Sequence, residues 1–151
     1  MKYLAPGVAV IGRYEPEIFN AKTIGEHLLK LTEELKLESY EQGGWSGATW
    51  LDWEKGAEVR EPYISMRYAG SQNDVAKWHH DNRSSSPGMY MVLWSNREQT
   101  EIKLPDGTIL RADPGDVLLV SNDEVQHRTP IQVSNDRWFF RRFVQKPNEL
   151  S

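Results

Sequence analysis

The sequence predicts a mainly β fold, a sandwich or jelly roll with one helix packed against it. Short β-prone segments follow one another at regular spacing through most of the chain, and a single segment near the N-terminus has clear helical periodicity. A chain of 151 residues is long enough for one domain with a buried core. No repeat, low-complexity stretch or linker indicates a second domain, so we expect a single domain over residues 1–151.

The first elements are a short β-prone run at Gly7–Arg13 and a helix at Thr23–Glu38. Thr23 and Glu26 match a capping box at the start of this helix. The helix is amphipathic, so we expect it to cover a sheet and to keep its charged face in water. Its apolar face consists of Ile24, Leu28, Leu31 and Leu35.

Turn signals separate the β-prone segments that follow. Asp106-Gly107, flanked by apolar and polar alternation, is a strong hairpin signal. Pro114-Gly115-Asp116 predicts a second turn that leads into a strand. The expected strands lie near Tyr63–Tyr68, Ala76–His80, Met89–Ser95, Glu101–Leu104, Thr108–Arg111, Asp116–Ser121 and Trp138–Val144.

Composition excludes several classes of function. The absence of cysteine excludes disulfides, zinc–thiolate sites and thiol catalysis. A net charge of −4 provides no overall attraction to nucleic acid or to an anionic membrane. No apolar run approaches the roughly 20 residues that a membrane span needs, and the N-terminal segment lacks the apolar core of a secretory signal. We therefore expect a cytoplasmic protein, whose substrate is either a small molecule or a macromolecule.

A metal-ligand pattern is the most informative feature of the chain. Alternate side chains of a strand share a face, so His79 and Asp81 point together while His80 points away. A second strand then has to bring His127 as the third ligand. Two imidazoles and one carboxylate on one face of an octahedral ion leave positions open for a cosubstrate and dioxygen. His27 lies in the predicted helix with no partner nearby, and we do not expect it to bind metal.

Two stretches around these ligands resemble known enzymes. Val125–Pro130 followed by Asp136–Val144, VQHRTP and DRWFFRRFV, resembles the clavaminate synthase-like and taurine dioxygenase-like branch of the iron(II)/2-oxoglutarate oxygenases. Met66–Gly70, MRYAG, just before the H-x-D pair, resembles the prolyl hydroxylase-like members. The resemblance covers residues 60–145 and implies a double-stranded β-helix, the cupin-like jelly roll. It also implies Fe(II), 2-oxoglutarate and O2, hydroxylation of an unactivated C–H bond, and release of succinate and CO2.

The arginines of the last expected strand are candidates for binding the cosubstrate. A buried carboxylate is costly without a charged partner, and a bidentate guanidinium is the best one available. By the resemblance, Arg137 holds the cosubstrate carboxylate and Arg141, on the same strand face, makes an auxiliary contact. Arg142 is a rival, because the sequence leaves open which face of the strand points inward. An arginine-rich edge strand that serves solubility is a further alternative.

The resemblance implies two more cosubstrate contacts. Thr100 resembles the threonine that hydrogen-bonds the cosubstrate carboxylate in the taurine dioxygenase branch, although a surface strand threonine is an equal alternative. Many prolyl hydroxylases carry a tyrosine two residues before H-x-D, where this chain has Lys77. Tyr68 is a possible substitute for it.

The remaining candidates concern the substrate. Asn82 and Arg83 follow the ligand pair, and Trp45 belongs to a tryptophan-rich stretch, but a turn and core packing explain them as well. The competing class is a cupin-like jelly roll, either a metal-dependent isomerase or a small-molecule binding module without oxygenase activity. The D-R-W-x-x-R stretch at Asp136–Arg141 favours the oxygenase, because a simple cupin has no need of it.

Overall fold

A computed structural model describes residues 1–19, 21–40, 49–50, 58–61, 64–69, 77–81, 87–131, 134 and 136–147, with backbone alone at 21–22, 49–50, 58–61 and 64–69. Within these ranges the protein is mainly β, as the sequence predicts. One helix, α1, accompanies the strands. Among the described residues, no helix has the length and apolar character of a membrane span. The elements are β1 (Lys2–Ala5), β2 (Val8–Arg13), α1 (Ala21–Glu34), β3 (Thr49–Trp50), β4 (Glu58–Glu61), β5 (Ile64–Ala69), β6 (Tyr90–Ser95), β7 (Glu101–Lys103), β8 (Ile109–Leu110), β9 (Asp116–Ser121), β10 (Gln126–Arg128) and β11 (Arg137–Val144).

The strands form two antiparallel sheets of unequal size. The large sheet has the order β1-β2-β9-β6-β11-β5-β4-β3, and the small sheet has the order β10-β7-β8. The small sheet packs on one face of the large sheet and α1 packs on the other. The closed double-stranded β-helix that the resemblance implies stays a prediction.

The core between α1 and the large sheet follows from the helical periodicity. Ile24 and Leu28 of α1 are fully buried and belong to the same apolar cluster as Trp94 of β6 and Phe140 of β11. The predicted apolar face of the helix is confirmed at these two positions. Leu35, which we expected on the same face, lies beyond the end of α1 and is 40% exposed.

The ends of α1 differ from the prediction. The helix begins at Ala21, so Thr23 lies within its first turn and is not the residue before it. It ends at Glu34 because Lys36 adopts a left-handed conformation with φ 58°. The N–H of Lys36 then donates to the carbonyl of Glu33, and the N–H of Leu37 donates to that of Thr32. This pair of hydrogen bonds closes the helix C-terminus before the predicted end at Glu38.

The second core lies between the two sheets. Met91 and Leu93 of β6 and Leu118 of β9 are buried against Ile102 of β7. The residues between them, such as Val92, belong to the cluster on the helix side. Each central strand therefore buries both of its faces, with alternate residues in the two cores.

The structure confirms both predicted turns. Leu104 and Thr108 are hydrogen-bonded across the hairpin at 2.8 Å, and Gly107 takes φ 91° there. Gly115 takes φ 90° in the turn that leads into β9. A left-handed conformation suits glycine because it has no side chain to clash with the backbone.

One expected strand is wrong. Of the predicted Ala76–His80 strand, the described residues from Lys77 onward contain a single bridge, from His79 to His127. Four strands lie outside the predicted ranges, namely β1, β3, β4 and β10, although β10 is the strand that the ligand pattern requires to carry His127. Two of them, β3 and β10, have only two or three residues, and β4 reads Glu-Val-Arg-Glu, which lacks the apolar pattern of a strand.

Candidate metal centre

The structure brings His79, Asp81 and His127 together at the edge of the small sheet. The backbones of His79 and His127 exchange two hydrogen bonds, with N–O distances of 3.1 and 3.0 Å. Asp81 Oδ1 lies 3.2 Å from His79 Nε2 and 3.3 Å from His127 Nε2. One ligand atom from each of the three residues lies within 4.8 Å of the others. This group could hold a metal ion.

Hydrogen bonds orient the imidazoles of the H-H-D segment. His79 Nδ1 donates to the carbonyl of Lys77 at 2.7 Å, so its Nε2 presents a lone pair towards the other two ligands. The ring of His80 points away from the three ligand atoms, and its Nδ1 donates to the carbonyl of Asn122 at 2.5 Å. The predicted alternation, with His80 pointing away from the pair, is confirmed.

The electrostatics of the site favour the protonation states that a metal needs. Burial by itself raises the pKa of the Asp81 carboxyl, but the hydrogen bond from His127 and the charge of Arg141 hold that pKa well below its usual range. Burial lowers the pKa of His127, and its contact with Asp81 opposes this shift. Asp81 is therefore ionised at neutral pH, and the His127 imidazole is neutral there.

Two arginines of β11 lie on the face that points towards the small sheet. Arg141 donates from NH1 to Asp81 Oδ2 at 3.2 Å, and its guanidinium lies 4.7 Å from the centre of the Phe143 ring. Arg137 is only 3% exposed. It donates from Nε to the carbonyl of Glu98 at 2.7 Å and lies over the ring of Phe139. A partly buried guanidinium, that of Arg141, therefore contacts the predicted ligand Asp81, and the buried Arg137 lies on the same face of β11.

Arg142 lies on the opposite face of β11. Its guanidinium donates to Thr32 Oγ1 of α1 and to Ser39 Oγ, so it connects the sheet to the helix. It is therefore separated from the metal ligands by the sheet. The edge-strand interpretation of these arginines is wrong, because β11 lies between β6 and β5 in the large sheet.

The other predicted site residues have mixed outcomes. Thr100 is 3% exposed, so it is not a surface threonine. Tyr68 pairs with Trp138 in the backbone register, and its side chain is outside the description. Asn82, Arg83 and Trp45 lie outside the described residues. The predicted roles of all five stay predictions.

Sequence reasoning missed two polar residues that hold the site together. Glu101 of β7 is buried and accepts hydrogen bonds from Arg128 of β10, at 2.8 Å, and from Arg111. Asn122, which is also fully buried, bonds the backbone of Asp81. A buried role for Asn122 has no signal in the sequence, because Ser121-Asn122-Asp123 has the composition of an exposed turn.

We expect the ion pairs of Glu101 to make stability depend on acid pH. Burial raises the pKa of Glu101, but the hydrogen bonds from Arg128 and Arg111 outweigh it and hold the pKa below its ordinary value of 4.5. The stabilisation is then fully present above 4.5 and is lost as the pH falls through the lowered value in the folded state. Urea unfolding between pH 7 and pH 3 should show this loss. Glu101→Gln should show a flatter pH dependence; an unchanged one would contradict the assignment.

Comparison of the sequence with models of protein families and with curated proteins finds no match.

Proposed function

We propose that this protein is an Fe(II)- and 2-oxoglutarate-dependent oxygenase that hydroxylates an unactivated C–H bond. The observation that carries the proposal is the convergence of His79, Asp81 and His127, with Arg141 in contact with Asp81 and Arg137 on the same face of β11. The metal ligands alone would suit many metal-binding proteins. The guanidinium groups on this face of β11, one of them buried, would supply what a dicarboxylate cosubstrate requires.

The residues of the centre fit a ferrous ion. Two imidazole nitrogens and one carboxylate, with open positions, are typical of non-haem Fe(II) oxygenases. His79 is held in the tautomer that frees Nε2, and Asp81 is ionised because of the charges around it. His127 Nε2 donates to the Asp81 carboxylate, so binding of a metal at this nitrogen would displace that proton.

The order of the strands supports a double-stranded β-helix as the architecture around this centre. From β5 onward, successive parts of the chain alternate between the two sheets. β5, β6, β9 and β11 are neighbours in the large sheet, while β7, β8 and β10 form the small sheet. The bridge between His79 and His127 adds the H-H-D segment to the edge of the small sheet, beside β10. This alternation is what winding a chain into two facing sheets requires.

Each residue of the site then has a distinct task. When bound, Fe(II) and 2-oxoglutarate supply the oxidising chemistry with O2, and the cosubstrate leaves as succinate and CO2. His79, Asp81 and His127 hold the metal. Arg137 binds the distal carboxylate of the cosubstrate, and Thr100 adds a hydrogen bond to it. Arg141 orients Asp81 through Oδ2, so that Oδ1 remains directed towards the imidazoles.

The proposal is tested on the purified protein without knowledge of the substrate. Anaerobic addition of Fe(II) and 2-oxoglutarate should give a weak visible charge-transfer band. Exposure to O2 should then yield succinate at a slow rate that requires both additions. Binding of metal without the band or succinate would contradict an oxygenase and favour the cupin-like alternative. Amino acids, peptides and nucleotides can then be screened for stimulation of succinate formation.

A further inference from the structure

We infer that Asn122 is a positioning residue for the metal centre, and that its side-chain amide sets where the Asp81 carboxylate lies. This inference rests on the proposed function, because it concerns the site that holds the metal. Asn122 directly follows β9, on the chain segment that leads to β10 and His127. It is 0% exposed, which is unusual for an asparagine outside regular structure.

The contact between Asn122 and Asp81 has two hydrogen bonds of opposite direction. The backbone N–H of Asp81 donates to Asn122 Oδ1 at 2.8 Å. Asn122 Nδ2 donates to the backbone carbonyl of Asp81 at 2.7 Å. A primary amide carries a donor and an acceptor side by side, so one side chain can replace the partner strand that Asp81 would have in a sheet.

The contact with Asn122 holds in place the second residue of the H-x-D pair, Asp81. His79 is bound to His127 by a backbone bridge, but that bridge does not extend to Asp81. The ring of His80 bonds the backbone carbonyl of the same Asn122. Asn122 is itself anchored, since its N–H donates to the carbonyl of Met89 at 3.0 Å. One ligand of the pair is therefore held by a bridge and the other by the Asn122 amide.

Because the Asn122 amide holds a segment that carries a metal ligand, we expect its loss to lower metal affinity more than it lowers stability. Replacing the amide leaves the Asp81 backbone without its partners, so the carboxylate is no longer held at the position shared with the two imidazoles. Groups that orient metal ligands in this way commonly contribute about 10- to 100-fold to metal affinity. We therefore expect Asn122→Ala to weaken metal binding by about that factor.

Asn96 offers a matched control. Its side chain makes the same kind of two-point contact, accepting from the N–H of Trp138 at 2.6 Å and donating to the carbonyl of Asp136 at 3.2 Å. These bonds lie at the start of β11 and touch none of the three metal ligands. Asn96→Ala should cost stability by removing a comparable contact, while metal affinity stays at the wild-type value.

The experiment is a titration of the apo-protein with Co(II), which is stable in air. Binding is monitored by the visible absorption of the bound Co(II). Wild type and Asn96→Ala should bind with equal affinity and the same spectrum. Asn122→Ala and Asn122→Asp should bind about 10- to 100-fold more weakly and with an altered spectrum, while circular dichroism remains that of the folded protein. Asn122→Asp preserves volume but turns the donor into an acceptor that faces the Asp81 carbonyl.

Three results would overturn the inference. If wild type binds Co(II) and the Asn122 variants bind equally well, the amide does not position Asp81, and the proposed function is untouched. If both Asn122 variants lose their fold, the residue serves the fold rather than the site. If wild type binds no Co(II), the metal centre and with it the proposed function fail together with this inference.

Discussion

His127→Ala should abolish succinate formation that depends on iron and 2-oxoglutarate. His127 is nearly fully buried, and its Nε2 lies 3.3 Å from Asp81 Oδ1. Removing it leaves one imidazole and one carboxylate, a set too small to hold the metal with the required geometry. The measurements are the moles of succinate released per mole of protein after exposure to O2 and the amount of Co(II) bound in a titration. Succinate release and Co(II) binding should both fall to the level of a protein-free control.

His27→Ala is the control for this prediction. His27 belongs to α1, and its ring stacks on Tyr14 at a centroid distance of 3.9 Å, on the side of the sheet away from the metal ligands. Its variant should keep both metal binding and succinate formation. His80→Ala should have a mild effect, because His80 contacts the Asn122 backbone and not the metal position. Full turnover in His127→Ala would remove the site assignment; a total loss in His80→Ala would exchange its role with that of His79.

Arg137→Ala should raise the 2-oxoglutarate concentration needed for half-maximal turnover by two orders of magnitude or more. A buried carboxylate that loses its only charged partner costs roughly 3–5 kcal/mol. That energy corresponds to a rise of roughly a hundred- to several thousand-fold. Arg137→Lys should lie between wild type and Arg137→Ala, because an ammonium keeps the charge but lacks the fork that binds a carboxylate at two points.

Arg142→Ala is the matched control, since Arg142 lies on the same strand and is buried to a similar extent, with 6% exposure against 3% for Arg137. It contacts Thr32 and Ser39 on the helix side of the sheet. Its loss should lower the unfolding temperature and leave the 2-oxoglutarate requirement unchanged. The cosubstrate assignment would be contradicted if Arg142→Ala raised that requirement and Arg137→Ala did not.

Local patterns in the chain were enough to predict several parts of the site. Alternation correctly separated His80 from His79 and Asp81, although the segment forms a single bridge rather than a strand, because successive side chains of extended backbone point to opposite sides. The same reasoning put Arg137 and Arg141 on one face of β11 and Arg142 on the other. The hairpin at Asp106-Gly107 followed from the conformation that its glycine adopts.

The sequence could not say which face of β11 points towards the metal ligands. Arg137, Arg141 and Arg142 are chemically the same, and both faces of the strand carry aromatic residues. The choice depends on which elements cover the sheet: α1 packs against Phe140 on one side, and the small sheet packs against Phe143 on the other. Packing between distant segments decided this, and no local pattern carries that information.

The support of Asp81 by Asn122 also depends on tertiary structure. An asparagine after a strand has the composition of a turn, and only the approach of the H-H-D segment makes its amide a partner for the Asp81 backbone. The ligand types and their alternation are properties of the chain itself, since they require nothing beyond covalent structure and backbone geometry. Their convergence, the inward face of β11 and the amide that holds Asp81 arise when segments far apart in sequence are buried against each other, because most buried polar groups are stable only with a hydrogen-bond partner.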